Sequence, residues 1–141
     1  MLRALELAAT GDTHDIPVAA LVVHDGSVIA QAANGRSGGN DPTAHAEVVA
    51  LRAAGAHLGT WRLDDCELIV TLEPCPMCAG AAVAARVGRI VFGAWNKQYG
   101  ACGSLFDIPR DPRLHHRCEV VGGVLAQETG DLVRAYLTSR R

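Results

Sequence analysis

The chain has 141 residues, 49% of them hydrophobic and 20% charged, with a net charge of −2 at neutral pH. That length suits one domain with a proper buried core, and the charge balance lacks the basic excess of a dedicated nucleic-acid-binding domain, so any contact with RNA must use a local patch. No apolar run approaches the roughly 20 residues of a membrane-spanning helix, and the opening MLRALELAATGDTHD interleaves apolar and charged residues where a secretory leader carries an apolar block. The expectation is a soluble, cytoplasmic protein with no membrane partner.

In chain order, Leu2 to Ala9 reads as a short amphipathic helix, with Leu2, Leu5 and Leu7 among helix formers. Pro17 opens VAALVV, and Asp25-Gly26 separates it from VIAQAA, a hairpin pattern. Asn34 to Asn40 is glycine-rich and reads as loop. Asp41-Pro42 is a helix-start signal, an acidic cap before a proline, for a helix from Thr43 to Gly55. CELIVTL (66–72) is a buried strand that Pro74 ends. A second, alanine-rich helix runs through MCAGAAVAARV to Gly88, and RIVF (89–92) is the next strand. Gly93 to Gly103 reads as loop, Asp107 to Arg117 as an exposed loop, Glu119 to Leu125 as an edge strand and Ala126 to Ser139 as a terminal helix. Strands alternating with helices predict an α/β fold, a three-layer α/β/α sandwich whose opening hairpin makes a five-stranded sheet mixed.

Five cysteines do not make an even disulfide framework, and only Cys75 and Cys78 are closely spaced. The pair lies just after a predicted strand, at a helix start. Unpaired N–H groups and the positive end of the helix dipole favour thiolates there. His45 lies at the start of the other central helix in the triplet His45-Ala46-Glu47. One imidazole and two thiolates supply three zinc ligands and leave a fourth position for water, the arrangement of a catalytic site. Glu47 is spaced to reach that position without binding the metal and to move protons for the water. Together the residues form the His-Xaa-Glu and Pro-Cys-Xaa-Xaa-Cys signature of zinc deaminases. A thioredoxin-type redox pair is the competing reading of Cys-Pro-Met-Cys, but it leaves His45 and Glu47 without a task. Cys66, Cys102 and Cys118 read as small buried residues, and His14, His24 and His57 as surface residues.

The segments Asp41-PTAHAE, Thr71-LEPCPMCAGA, Arg89-IVFGA, Gly100-ACGS and Val121-GGVLAQE resemble the bacterial tRNA-specific adenosine deaminases, in the cytidine deaminase-like superfamily. The resemblance extends from Ile16 to the C-terminal helix, so residues 1–141 are expected to form a single zinc-dependent deaminase domain. It implies conversion of adenosine to inosine at the wobble position of a tRNA anticodon, with arginine tRNA as the usual substrate. Water activated by zinc would attack C6 of the flipped-out adenine, Glu47 would shuttle protons, and backbone near Cys75 would stabilise the developing charge. The resemblance also implies one zinc per subunit, a homodimer, and a base-holding carboxamide at Asn34.

An anticodon loop calls for cationic and stacking side chains. Lys97, the only lysine, lies in the loop that flanks the pocket in this family, beside Trp95-Asn96, where relatives often carry a charged pair. Asn96 could bond a sugar or phosphate, and Trp95 could stack or simply pack. Six arginines (110, 113, 117, 134, 140 and 141) lie among four acids in the C-terminal part. Tyr136 stands where relatives commonly carry adjacent phenylalanines. Expected substrate contacts are thus Asn34, Asn96, Lys97 and Tyr136, with an anticodon stem-loop as partner. A free-base enzyme of the same superfamily, guanine deaminase in particular, is the rival reading: Leu58-GTWRLDDCEL and Glu73-PCPMC suit it, and it would need no basic surface.

Overall fold

A computed structural model describes residues 1–141. Helix α1 (Leu2–Ala9) precedes the hairpin β1 (Ala19–His24) and β2 (Ser27–Ala33). Its turn places Asp25 and Gly26 at φ of 49° and 74°, left-handed values that Gly and Asp tolerate and that match strand twist. A one-residue bulge follows, since Val22 pairs with Ala30 but Val23 with Val28. Next come α2 (Arg36–Gly39), α3 (Ala46–Leu58), β3 (Cys66–Leu72), α4 (Pro76–Ala84), β4 (Arg89–Ala94), β5 (Glu119–Val121) and α5 (Ala126–Ser139). The sheet order is β2-β1-β3-β4-β5. β1 runs antiparallel to both its neighbours, while β3, β4 and β5 are parallel. The sheet is therefore mixed, as the hairpin predicts.

Alternation of side chains across the strands makes the layers. Ala20, Val22, Leu68, Val70, Ile90 and Phe92 join the core shared with α3 and α4. Ala19, Leu21 and Thr71 are buried outside that cluster, on the side where α1 buries Ala4 and Ala8 and α5 buries Thr129 and Gly130. Small residues on α3 and α4 (Ala46, Ala50, Ala54, Ala79, Ala82) let those helices lie close to the sheet. No helix is long and apolar enough to cross a membrane.

Several boundaries differ from expectation. α3 begins at Ala46, not Thr43, because the Asp41 carboxylate accepts from Thr43 N–H at 2.9 Å and its hydroxyl at 2.8 Å, closing a local turn instead of capping a helix. It then continues past Gly55 to Leu58. The loop after β2 holds the short helix α2. α4 stops at Ala84, and Arg86 turns the chain with φ of 62°. β4 runs two residues longer than expected, to Ala94, while β5 ends at Val121, with Leu125 at φ 53° starting α5. The 107–117 loop is largely exposed but not wholly so: Pro109 is buried and His116 Nε2 donates to the Val87 carbonyl at 2.7 Å.

Candidate active site

Because β2 and β3 both run opposite to β1, the carboxyl ends of β2, β3 and β4 lie on one edge of the sheet. The chemistry gathers there, where ligands commonly bind in open α/β sheets. His45 occupies the N-cap position of α3 in extended conformation (φ −66°, ψ 147°), and Glu47 lies in the first helical turn. Cys75 is the N-cap of α4 (φ −73°, ψ 173°), Pro76 starts the helix, and Cys78 is buried in its first turn. Two helix N-termini thus converge on one point, and both favour negative charge.

His45 Nδ1 lies 3.6 Å from Cys75 Sγ and 3.5 Å from Cys78 Sγ. All three ligand atoms are within 4.8 Å of one another. A tetrahedral zinc with Zn–N of roughly 2.0–2.1 Å and Zn–S of about 2.3 Å sets a nitrogen–sulfur edge of about 3.6 Å. The donor set fits the ion in kind and spacing.

The four groups shift one another's proton affinities. The hydrogen bond with Cys78, aided by His45, holds the Cys75 thiol down at about 4. Cys78 is pushed up by that same hydrogen bond, by burial and by Glu47, and the Cys75 hydrogen bond raises His45. A metal entering among these groups would displace the protons they still carry. Glu47 is 4% exposed, and burial pushes its carboxyl up to about 7, with Cys75 adding to the rise.

These groups open into a cavity of about 630 Å³, where His45, Glu47 and Cys75 share the wall with Asn34 and Asn96. Ile16, Val18 and Leu72 supply an apolar side. A hollow of similar size, about 670 Å³, lies between α3 and α4, but its lining (Val48, Leu51, Trp61, Ala81 among others) contains no carboxylate, imidazole or thiol. The reactive groups single out the first.

The family model of the cytidine and deoxycytidylate deaminase zinc-binding region matches residues 1–94, which span His45, Glu47, Cys75 and Cys78. The tRNA-specific adenosine deaminase of Bacillus subtilis (strain 168) is 43% identical over 127 residues, covering 90% of this chain and 79% of that protein. This chain belongs to the tRNA-specific adenosine deaminase family. A solved structure from a study of A-to-I editing by tRNA:A34 deaminases at the wobble position of transfer RNA superposes on the deaminase with a TM-score of 0.86 at 37% identity, over 94% of this chain and 99% of that one. Guanine deaminase from Nitrosomonas europaea superposes with a TM-score of 0.78 at 30% identity, over 96% and 81%.

Of the expected substrate contacts, the deaminase brings Asn34 and Asn96 to the cavity wall. Asn34 also ties the site together: Nδ2 donates to the Ile16 carbonyl at 3.0 Å and Oδ1 accepts from Ala46 N–H at 2.9 Å. Asn96 Oδ1 accepts from Gln98 and Tyr99 N–H at 3.3 and 3.1 Å, leaving Nδ2 free of partners in the chain. Lys97 is exposed beside Asn96 but does not line the cavity. Tyr136 lies elsewhere, in a hollow with Ala8, Asp12 and Arg140; its hydroxyl donates to the His14 carbonyl at 2.9 Å and Arg140 sits 4.5 Å over its ring. Trp95 packs edge-on against Phe92, ring centroids 4.8 Å apart, while staying half exposed.

Three residues of the site escaped sequence reading. Arg36 and Tyr99 line the cavity from exposed positions. Glu73, 2% exposed, is the centre of the loop after β4: it accepts from the N–H groups of Asn96 (2.9 Å), Cys102 (3.1 Å) and Ser104 (2.9 Å), and from the Ser104 hydroxyl. A charged residue placed between an apolar strand and the Pro-Cys pair was the available signal.

Proposed function

We propose that the protein hydrolyses adenosine to inosine at the wobble position of a tRNA anticodon, arginine tRNA being the expected substrate. His45, Cys75 and Cys78 would hold one zinc per subunit within a single deaminase domain spanning residues 1–141. Bound there, zinc would act as a Lewis acid that makes water a nucleophile near neutral pH. Glu47 would take one proton from the attacking water and deliver it to N1 of the purine, then take the second from the oxygen added at C6 and deliver it to the amino group, so that ammonia leaves as the carbonyl forms. A buried carboxyl group in the first turn of α3, on the same cavity wall as His45 and Cys75, suits this. Asn34 presents its carboxamide to the base from a framework fixed on two sides. Lys97 and the C-terminal arginines, with Tyr136, would meet RNA outside the cavity.

The observation that carries the chemistry is the spacing of His45 Nδ1 from the two sulfurs, 3.6 and 3.5 Å, beside buried Glu47. The substrate rests on kinship, at 43% identity with a relative named for tRNA. A homodimer accords with the apolar hollow between α3 and α4, where Trp61 is 62% exposed. A cytoplasmic setting follows from a tRNA substrate.

The deciding assay incubates the protein with an arginine-tRNA anticodon stem-loop and, separately, with guanine, and measures inosine and ammonia. Inosine in the stem-loop with no guanine turnover is expected. Guanine turnover without inosine would establish the free-base reading that the guanine deaminase likeness offers. Glu47→Ala should abolish turnover while zinc stays bound; loss of zinc would make Glu47 a ligand instead.

A further inference from the structure

We infer that Tyr99 is the platform on which a nucleobase flanking the reacting adenosine stacks, a specificity-determining contact for a polynucleotide over a free base. The inference rests on the proposed tRNA activity and adds a residue to it. Tyr99 lines the catalytic cavity, yet its side chain is 66% exposed. Its hydroxyl makes no hydrogen bond within the chain, and its ring pairs with no other aromatic ring and no cation.

The backbone beneath the ring, by contrast, is fixed. Tyr99 N–H donates to Asn96 Oδ1 at 3.1 Å, and Gly100 N–H donates to the Asn96 carbonyl at 2.7 Å. Asn96 N–H in turn donates to the buried Glu73 carboxylate at 2.9 Å. Glu73 also gathers Cys102 and Ser104, so the loop is wrapped around an anion that no side-chain cation balances. Gly100 is what lets the loop close this tightly, because a Cβ there would overlap the carboxylate. An exposed aromatic ring on a rigid backbone loses only two side-chain torsions on binding. Such rings take up splayed bases of single-stranded loops, whatever the base, because every base has a π-face. Arg36, also at the cavity, makes no ion pair in the chain and supplies a cation for the accompanying phosphates. A free purine held in the cavity has no neighbouring base for Tyr99 to meet.

The test compares wild type, Tyr99→Ala and Tyr99→Phe on an anticodon stem-loop, with zinc content and thermal midpoint measured in parallel. Tyr99→Ala should raise KM by about five- to a hundredfold, the range of one lost base–aromatic stack, with little change in kcat. Tyr99→Phe should match wild type, since the ring and not the hydroxyl does the work. 2-Aminopurine at one of the two nucleotides flanking the target should be quenched by wild type and Tyr99→Phe but not by Tyr99→Ala. Equal KM for wild type and Tyr99→Ala overturns the inference and leaves the tRNA reading standing. A Tyr99→Phe defect as large as that of Tyr99→Ala also overturns it, by assigning the contact to the hydroxyl. Absence of inosine with wild type overturns the tRNA reading and this inference with it.

Discussion

The Asn34 carboxamide caps the helix that carries Glu47: its Oδ1 accepts the Ala46 N–H at 2.9 Å, across twelve residues of chain. The helix has no cap from its own N-cap residue, since His45 makes no such side-chain bond and points its ring at the two cysteines. A neighbouring strand end therefore does the capping, and the ligand is left free.

Asn34→Ala should remove that cap and one of the two hydrogen bonds on the Ile16 carbonyl, which keeps the Val18 N–H at 2.8 Å. A loss of about 1–2 kcal/mol in urea unfolding is expected. Activity should fall further than the folded fraction does, because α3 positions both His45 and Glu47. Unchanged stability would mean that water replaces the amide at no cost.

Glu73→Gln replaces an all-acceptor carboxylate by a group whose NH2 faces N–H and O–H donors. With hydrogen bonds to a charged group worth about 1.5–3 kcal/mol each, a loss of about 3 kcal/mol or more is expected. Gly100→Ala should cost about 1–3 kcal/mol, since a Cβ would overlap the Glu73 carboxylate and the Asn96 carbonyl. Gly80→Ala is the contrast: nothing lies within 4 Å of its Cβ position in α4, so a gain of about 0.5–1 kcal/mol is expected. Thermal melts of the three variants check the order; a Gly100→Ala protein as stable as Gly80→Ala would contradict the packing around Glu73.

Metal removal should change which thiols react. Cys75 is half-buried while Cys66, Cys78, Cys102 and Cys118 are buried. Alkylation followed by peptide mass spectrometry should modify Cys75 first in chelator-treated protein and spare it in zinc-loaded protein. Equal labelling of Cys75 in both would remove it from the ligand set.

Arg36→Ala tests the cation at the cavity mouth. Loss of one phosphate contact should reduce the dependence of log KM on log salt by about 0.7 for a single-stranded loop. Zinc content should stay unchanged, since Arg36 is exposed and outside the ligand cluster. An identical salt slope would place the phosphates elsewhere.

The hydrophobic periods that mark α1, β3 and α5 are local properties, and those elements fall where the residues predict. The ligand motifs were legible for a similar reason: His45-Ala46-Glu47 and Cys75-Pro76-Met77-Cys78 each fit within one helical turn, so spacing alone puts their groups on one small surface. Asp41-Pro42 misled because an Asp can close a turn on Thr43 as readily as cap a helix, and only the distant Asn34 decides which.

By itself, then, the sequence determined the strands and helices of the mixed sheet and the two short motifs, His45-Ala46-Glu47 and Cys75-Pro76-Met77-Cys78, since each depends on residues close in the chain; the fold brings the two motifs together across 30 residues. Tertiary structure alone decided that Asn34 caps α3, that Glu73 gathers a loop some thirty residues onward, and that Tyr99 and Arg36 meet at the cavity while Tyr136 does not. Those contacts join segments far apart in sequence, and hydrogen-bond partners across such gaps leave no periodic trace in composition or spacing.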